Sequence, residues 1–425
     1  MFRRRWSGLP ADPIYPSDLA ELGYFVHESD EIRSIDDPDY YFKFFITKNE
    51  RWNERQRFCF DEAVGKVLQS RFEAEGLKKV MLPLGTVDPA QPHVDICVSS
   101  HLDTRSRVVL VLGESVQEFG FIASRVMGGP GGINKGSMVG LVQELKKQQA
   151  SATDSTAPGV ILANPGELWW WPEGKRALSP SLRHGIPMTS AVHLGRYYEP
   201  NRNAIPENRT PAEHVRYIFD KVVPAMVPVS AKIDVIAVGD VAEEVEAYLN
   251  NDAAWAEIAD RMNSLALLGS FYSGDKFKCE GFKAFMRKRA RAYVLHHTPL
   301  DTPVASPGGN PISNPDATVY GCPVYSAGEN TILTETILIE VQPALLKWMQ
   351  LVAFQGDNYE NPDDIIFIED HSSSDNADAL GWGDGSESAD VKVNGEDHQL
   401  VGLEQEVEKL NIDSAFTEKD EGLDV

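Results

Sequence analysis

Apolar positions along this chain fall into two rhythms that take turns. Short apolar runs bounded by turn residues read as buried strands, and stretches with apolar residues three and four apart read as helices. Residues 14–50 hold short apolar runs between turn signals, and "LGYFVHESDEIRSI" predicts a hairpin turning at Glu28-Ser29-Asp30. From Asn53 to Glu75, Phe58, Val64, Val67, Leu68 and Phe72 share one face of an amphipathic helix. Strands are expected at "KVMLPL", "VDICVSS" and "SRVVLVLGES", helices over Phe119–Met127 and Met138–Gln148, and a strand at "GVILANPG". A long irregular segment rich in Pro, Arg and Trp is expected from Glu167 to Arg209. After it the alternation resumes, with helices at Ala212–Met226, Ala253–Met262, Gly281–Arg289 and Ile339–Phe354 and strands at "SLALLGS", "AYVLHHT" and "CPVYSAG". Strands that alternate with helices imply an α/β protein, its mostly parallel sheet covered by helices on both faces.

The stretch "AKIDVIAVGDVAEEVEAYLNN" (Ala231 to Asn251) narrows the fold class. A buried strand, a tight turn at Gly239-Asp240 and a helix make the setting in which α/β-hydrolases carry a nucleophile, in the G-x-S-x-G elbow. Here glycine stands at the apex, able to adopt the turn but without a nucleophilic atom. Asp240 is expected to cap the helix that follows, whose first turn also holds Glu243 and Glu244.

The other strand ends supply the remaining candidates, because an open α/β sheet places its site there. Gly113-Glu114-Ser115 sits where a hydrolase has the loop that lends an oxyanion-hole N–H, although the same residues also make an ordinary strand-to-helix turn. Asp301 follows a strand where a triad acid can stand, although a loop Asp before Thr-Pro also makes a side-chain turn. Glu329 and Asn330 fill the loop that would deliver a triad histidine, and no His occurs between His297 and His371. The order Ser…Asp…His therefore lacks both nucleophile and base. Glu114, Ser115, Gly239, Asp240, Asp301 and Glu329 line the expected cleft, with no catalytic residue assigned.

"MGGPGGINKGSM" resembles a phosphate loop, yet Lys135 precedes Gly136-Ser137, the reverse of the Walker order. A tight connection with Ser137 as N-cap is expected instead. In "ELWWWPEGKRALSPSLRHG", Trp169, Trp170 and Trp171 stand beside Arg176, a composition that suits either base stacking or a loop wedged onto the sheet. The basic "FMRKRARAY" reads as a solvated helix face. "NRT" at Asn208 is a formal glycosylation sequon, without relevance to a protein that is not secreted. His296 and His297 would point to opposite sides of a strand, and no cluster has metal-ligand spacing. No cofactor is expected.

Charge divides the chain. The net charge is −24, and residues 357–425 carry 21 acids and three bases, leaving about −6 on residues 1–356. The first part is expected to be the folded α/β domain and the second an acidic disordered tail, too poor in large apolar residues to offset its ordering entropy. The run "IIFIED" at 365–370 is the part of that tail expected to dock if any does. Four widely spaced cysteines suggest reduced thiols in the cytosol or nucleus. "MFRRRW" lacks the apolar region of a signal peptide, and no apolar run is expected to reach membrane-spanning length.

Taken together, "YYFKFF", "ERWNERQRF", "MLPLGT", "LGES", "NKGSM", "GELWWWPEG", "VIAVGD" and "LDTPV…YSAGE" resemble fungal members of the Argonaute-binding protein 2 domain family over residues 15–355. The resemblance implies an α/β-hydrolase-like fold and protein partners, Argonaute or silencing-complex subunits, in small-RNA-directed heterochromatin assembly in the nucleus or cytoplasm. Some relatives keep a Ser at the elbow and a His in the last loop; here Gly239 and Glu329 or Asn330 stand there. A non-catalytic scaffold is expected. Its rivals are a hydrolase using an unusual nucleophile such as Ser115, a cleft that binds a small metabolite, and direct small-RNA contact through the Trp/Arg loop.

Overall fold

Strand β5 (Arg107–Leu112) is buried along its whole length, as a run of Val and Leu flanked by other strands must be. Its neighbours are β6 (Gly159–Ala163) and β9 (Lys232–Val238), both parallel to it. The computed structural model describes residues 8–193, 195–269, 274–310, 319–331 and 333–362. Within these, β10 (Met262–Leu268), β11 (Ala290–Val294) and β13 (Val324–Ser326) extend the sheet in the same sense beyond β9. On the other side β4 (Val94–Ser99) runs antiparallel between β6 and β3 (Leu77–Leu82). A short antiparallel strand, β12 (Pro303–Ala305), pairs with β13 at the far edge. The order is therefore β12-β13-β11-β10-β9-β5-β6-β4-β3. Without β12, this is an α/β-hydrolase sheet with its second strand reversed.

The period of two along these strands feeds two cores. Leu110, Leu112, Val235, Ala237 and Leu265 face one side, with Val215, Val245, Phe282 and Met286 from the helices Pro211–Tyr217, Val241–Leu249 and Glu280–Arg289. Val109, Val111, Ile236, Val238 and Ala266 face the other. There they meet Val64, Leu68 and Phe72 of the helix Glu50–Ala74, Leu141 of Met138–Leu145, and Leu345 and Met349 of Ile337–Gln355. The expected helices on both faces are present, and the hairpin of β1 (Tyr24–Val26) and β2 (Ile32–Ser34) turns where the sequence placed it.

Four local expectations are corrected. Phe119–Met127 is helical only over Ser124–Met127, because Gly120 turns at φ +81° and the N–H groups of Ile122 and Ala123 bond to Gly136 O. The segment from Glu167 to Arg209 is not irregular throughout, since Trp169–Trp171 (β7) and Arg176–Leu178 (β8) pair as an antiparallel hairpin. His296 and His297 lie past the end of β11, so strand alternation does not govern them, and their rings stand 4.2 Å apart. Finally, Thr334–Asn358 is long and apolar enough to cross a membrane by length and composition. Here it is a core helix, burying Val341, Leu345, Met349 and Val352.

Past Gly356 the chain stays on this domain for a few residues. Trp348 Nε1 donates to Tyr359 Oη at 2.7 Å, and Asn361 Nδ2 donates to the carbonyls of Ala290 and Arg287. The basic run "FMRKRARAY" is engaged rather than merely solvated. Lys288 pairs with Glu360, Arg289 donates to Gly356 O and Tyr359 O, and the Arg291 guanidinium lies 4.4 Å from the Tyr325 ring centre. The run 365–370 and the rest of the acidic segment lie outside the described residues.

Candidate functional site

Strand β9 delivers Gly239 to the C-terminal edge of the sheet at φ +63°, a conformation glycine reaches without strain. The backbone is that of a nucleophile elbow, fixed by Gly239 N–H donating to Leu268 O at 2.8 Å and by the helix starting at Val241. The space above the apex is taken. A Cβ at 239 would lie 2.8 Å from Glu114 Cγ and 3.1 Å from its Cδ and Oε1. Glu114 thus fills the position into which a nucleophilic side chain would project.

Asp240 stands at the expected N-cap position of the helix Val241–Leu249 but does not use its side chain there. It makes no side-chain cap bond, and its carboxylate instead accepts from the Ser115 hydroxyl and, at 3.3 Å, from the Ser115 N–H. This ties the loop after β5 to the elbow and occupies an N–H that a hydrolase would turn toward an oxyanion. Burial holds the Glu114 carboxyl above its ordinary range, helped by the nearby carboxylates of Asp240 and Glu335. Over it, Pro165-Gly166 closes backbone to backbone, since a Cβ at 166 would meet Gln117 O and Glu114 O. What remains beside Gly113, Glu114, Gln117, Glu118 and Asn164 is a cavity of about 10 Å³, room for about one water.

The other two expected cleft residues do not join this group. Asp301 sits at φ +61° with its Oδ1 accepting from Tyr293 Oη at 3.0 Å and lying 3.7 Å from Arg291. Glu329 is exposed in the loop after β13. Glu114, Ser115, Gly239 and Asp240 meet; among the described residues Asp301 and Glu329 make no hydrogen bond or ion pair with them.

The tryptophans hold the hairpin down. Trp169 packs with Phe58, Leu178, Leu182 and Ile186, and Trp170 is buried in the main core with its ring 4.9 Å from that of His93. Trp171 is half-buried, edge-on to Phe58, and Arg176 pairs with Glu62 at 3.3 Å. The faces of Trp169 and Trp170 are spent on packing.

The glycine-rich loop does bind anions, and they are the chain's own. Gly131 N–H donates to Glu31 at 3.2 Å and Asn134 N–H to Asp30 at 2.7 Å, while Ser137 caps the next helix as expected. The sequon residue Asn208 is buried, its Oδ1 2.7 Å from His214 Nδ1.

Sequence reasoning missed a set of buried ionisable groups beside the cleft. Asp61 bonds to Arg57 at 3.2 Å, Glu118 accepts from Ser179 Oγ at 2.8 Å, and Glu167 accepts from Asn164 Nδ2 at 3.0 Å. Burial, reinforced by Glu118, pushes Asp61 up to about 8, and burial pushes Glu167 up to about 7. His214 is driven the other way, down to about 3, wholly by burial. Its Nε2 accepts from the Asn164 N–H at 3.1 Å, so the ring is neutral with its proton on Nδ1. The signal for Asp61 was its place three residues from both Phe58 and Val64, on the apolar face of its helix.

Fold and site together define an α/β-hydrolase-like protein whose elbow carries glycine and whose nucleophile space is filled by a glutamate. The family profile of the Arb2 domain matches residues 15–300, and the chain belongs to that family. No curated protein matches the chain.

Proposed function

We propose that the chain is a non-catalytic α/β-hydrolase-like scaffold that acts through protein partners in small-RNA-directed heterochromatin silencing. One observation supports the non-catalytic part above the rest. Gly239 offers no nucleophile, and Glu114 lies where one would project. Two further features support it: the Ser115 N–H is committed to Asp240, and the cleft is closed to about one water. The silencing role, with Argonaute or silencing-complex subunits as partners and a nuclear or cytoplasmic location, rests on family membership.

One observation favours a second reading. The Ser115 hydroxyl donates to the Asp240 carboxylate, an arrangement in which a carboxylate can take the proton of an attacking serine. Direct RNA contact through the tryptophans has less support, because Trp169 and Trp170 are buried.

The partner half is tested by tagging the chain at its endogenous level and identifying co-purifying proteins and RNA before and after nuclease. The expected result is a silencing-complex protein retained after nuclease treatment. Recovery of RNA alone, lost when Trp171 and Arg176 are replaced, would overturn the scaffold reading.

A further inference from the structure

A second opening lies where the helix Glu50–Ala74 begins. A cavity of about 440 Å³ separates its first turns from the turn Leu182–Gly185, bordered by Glu50, Glu54, Arg57, Phe58, Ser181 and His184. This is within the size range of sites that hold a ligand or an inserted side chain. Its walls are fixed from behind. Arg51 donates to the carbonyls of His184 (2.7 Å) and Ile186 (2.6 Å), Arg55 donates to that of Gly185, and Arg51 also binds Asp12 at 2.6 Å. Glycine at 185 permits the close approach, because a Cβ there would lie 2.6 Å from Phe58 Cβ and 2.9 Å from Glu54 O. The opening is preformed.

The groups that border it keep bonding capacity to spare, although Glu54 already lies within the field of Arg57. Glu50 and Glu54 stand one helical turn apart, and among the described residues neither carboxylate has an ion pair or a hydrogen bond. Arg57 uses its Nε on Asp61, which leaves its two Nη groups as donors. The Ser181 hydroxyl is likewise unused among the described residues. At the rim Arg57 lies 5.8 Å from the Phe44 ring centre, and Phe44 meets Phe45 edge-on at 4.6 Å. Phe45 is 73% exposed, an apolar surface next to a charged slot.

We propose that this opening docks a partner peptide through one arginine or lysine side chain, held between Glu50 and Glu54. The two carboxylates set the sign of the side chain. The Nη donors of Arg57 and the Ser181 hydroxyl suit main-chain carbonyls, which a peptide has and a free amine lacks. Phe44 and Phe45 receive an apolar neighbour of the cation. This site gives the scaffold reading a surface on which a partner sits, and it rests on that reading's claim of protein partners.

The probe is a set of capped nonapeptides, identical except for Arg, Lys, Gln or Glu at the centre beside a Leu, titrated against the full chain by fluorescence anisotropy. Arg and Lys peptides are expected to bind saturably, about tenfold or more tighter than the Gln and Glu peptides. Glu50→Gln with Glu54→Gln should lose that preference, and Glu50→Asp with Glu54→Asp should keep part of it. An equal charge change at a distant exposed pair, Glu257→Gln with Asp260→Asn, should leave it unchanged. Circular dichroism is expected to show all variants folded. Equal binding of the Glu peptide, binding that survives the double Gln change, an equal loss in the distant pair, or no binding by any peptide would each overturn the site. Ester turnover by the natural chain would defeat the scaffold reading without touching this result, whereas failed peptides with no turnover would defeat the site alone.

Discussion

Trp170→Ala is expected to lower the unfolding free energy by about 3–5 kcal/mol, the range for removing a large aromatic from a packed core. Trp170 is 2% exposed and among the largest fully buried side chains. It joins the β7–β8 hairpin to the core that contains Leu82, Val94 and Ile161, and its carbonyl accepts from Asn203 Nδ2 at 2.9 Å. The cavity left behind would be bounded by a hairpin of three-residue strands, which has little pairing of its own to resist opening. Trp171→Ala should cost far less, because that ring is only half-buried. Urea unfolding of the two variants checks this. Equal losses, or a Trp170 variant as stable as the parent, would mean that the hairpin is not anchored through Trp170.

A similar loss, about 3–5 kcal/mol, is expected for Arg107→Met, for an electrostatic reason. Arg107 and Asp234 form an ion pair on neighbouring central strands, 1% and 0% exposed. The guanidinium also donates to the carbonyls of Gln149 (3.0 Å) and Met349 (3.3 Å), fastening the last helix to the sheet. Methionine fills much of the volume but leaves Asp234, among the described residues, hydrogen-bonded by the neutral donors Asn263 and Ser264 alone, with the Arg289 charge acting on it without a bond. The double change Arg107→Met with Asp234→Leu should recover much of the loss, since a buried pair replaced as a unit by apolar residues is often neutral. Chemical denaturation of both variants measures the difference. A single variant no less stable than the double would contradict a pairing role.

Much of this architecture could be read before the fold was known. Val235, Ile236 and Val238 run into Gly239, and a continuous apolar strand ending in a glycine turn and an amphipathic helix is a local signal. The vacancy at the apex is local too, because it needs only the identity of residue 239. What fills the space is not. Glu114 and Asp240 belong to loops about 125 residues apart, and they meet only because β5 and β9 are neighbours in the sheet. Asp240 looked like a helix cap because every Asp in front of a helix does, and Ser115 outcompetes the helix N–H groups only in three dimensions. The hairpin of Trp169–Trp171 and Arg176–Leu178 was missed because three aromatics in a row show no alternation. The helix expected at Ile339–Phe354 does not read as long enough to span a membrane, because Glu335, Glu340, Lys347 and Asp357 interrupt the apolar run.

Ester hydrolysis tests the non-catalytic claim most directly. p-Nitrophenyl acetate turnover would be measured for the natural chain, for Ser115→Ala, for Gly239→Ser, and for Gly239→Ser with Glu114→Ala. The single serine variant meets both the positive φ, costing about 1–2 kcal/mol, and the Glu114 side chain; the double variant relieves the second. No turnover above the uncatalysed rate is expected in any of the four, and no burst in either serine-bearing elbow. Turnover in the natural chain that disappears with Ser115→Ala would contradict the non-catalytic claim and make Ser115 and Asp240 an active pair. A burst that appears once Glu114 makes room for Ser at 239 would contradict it as well, by showing that a base still serves the elbow.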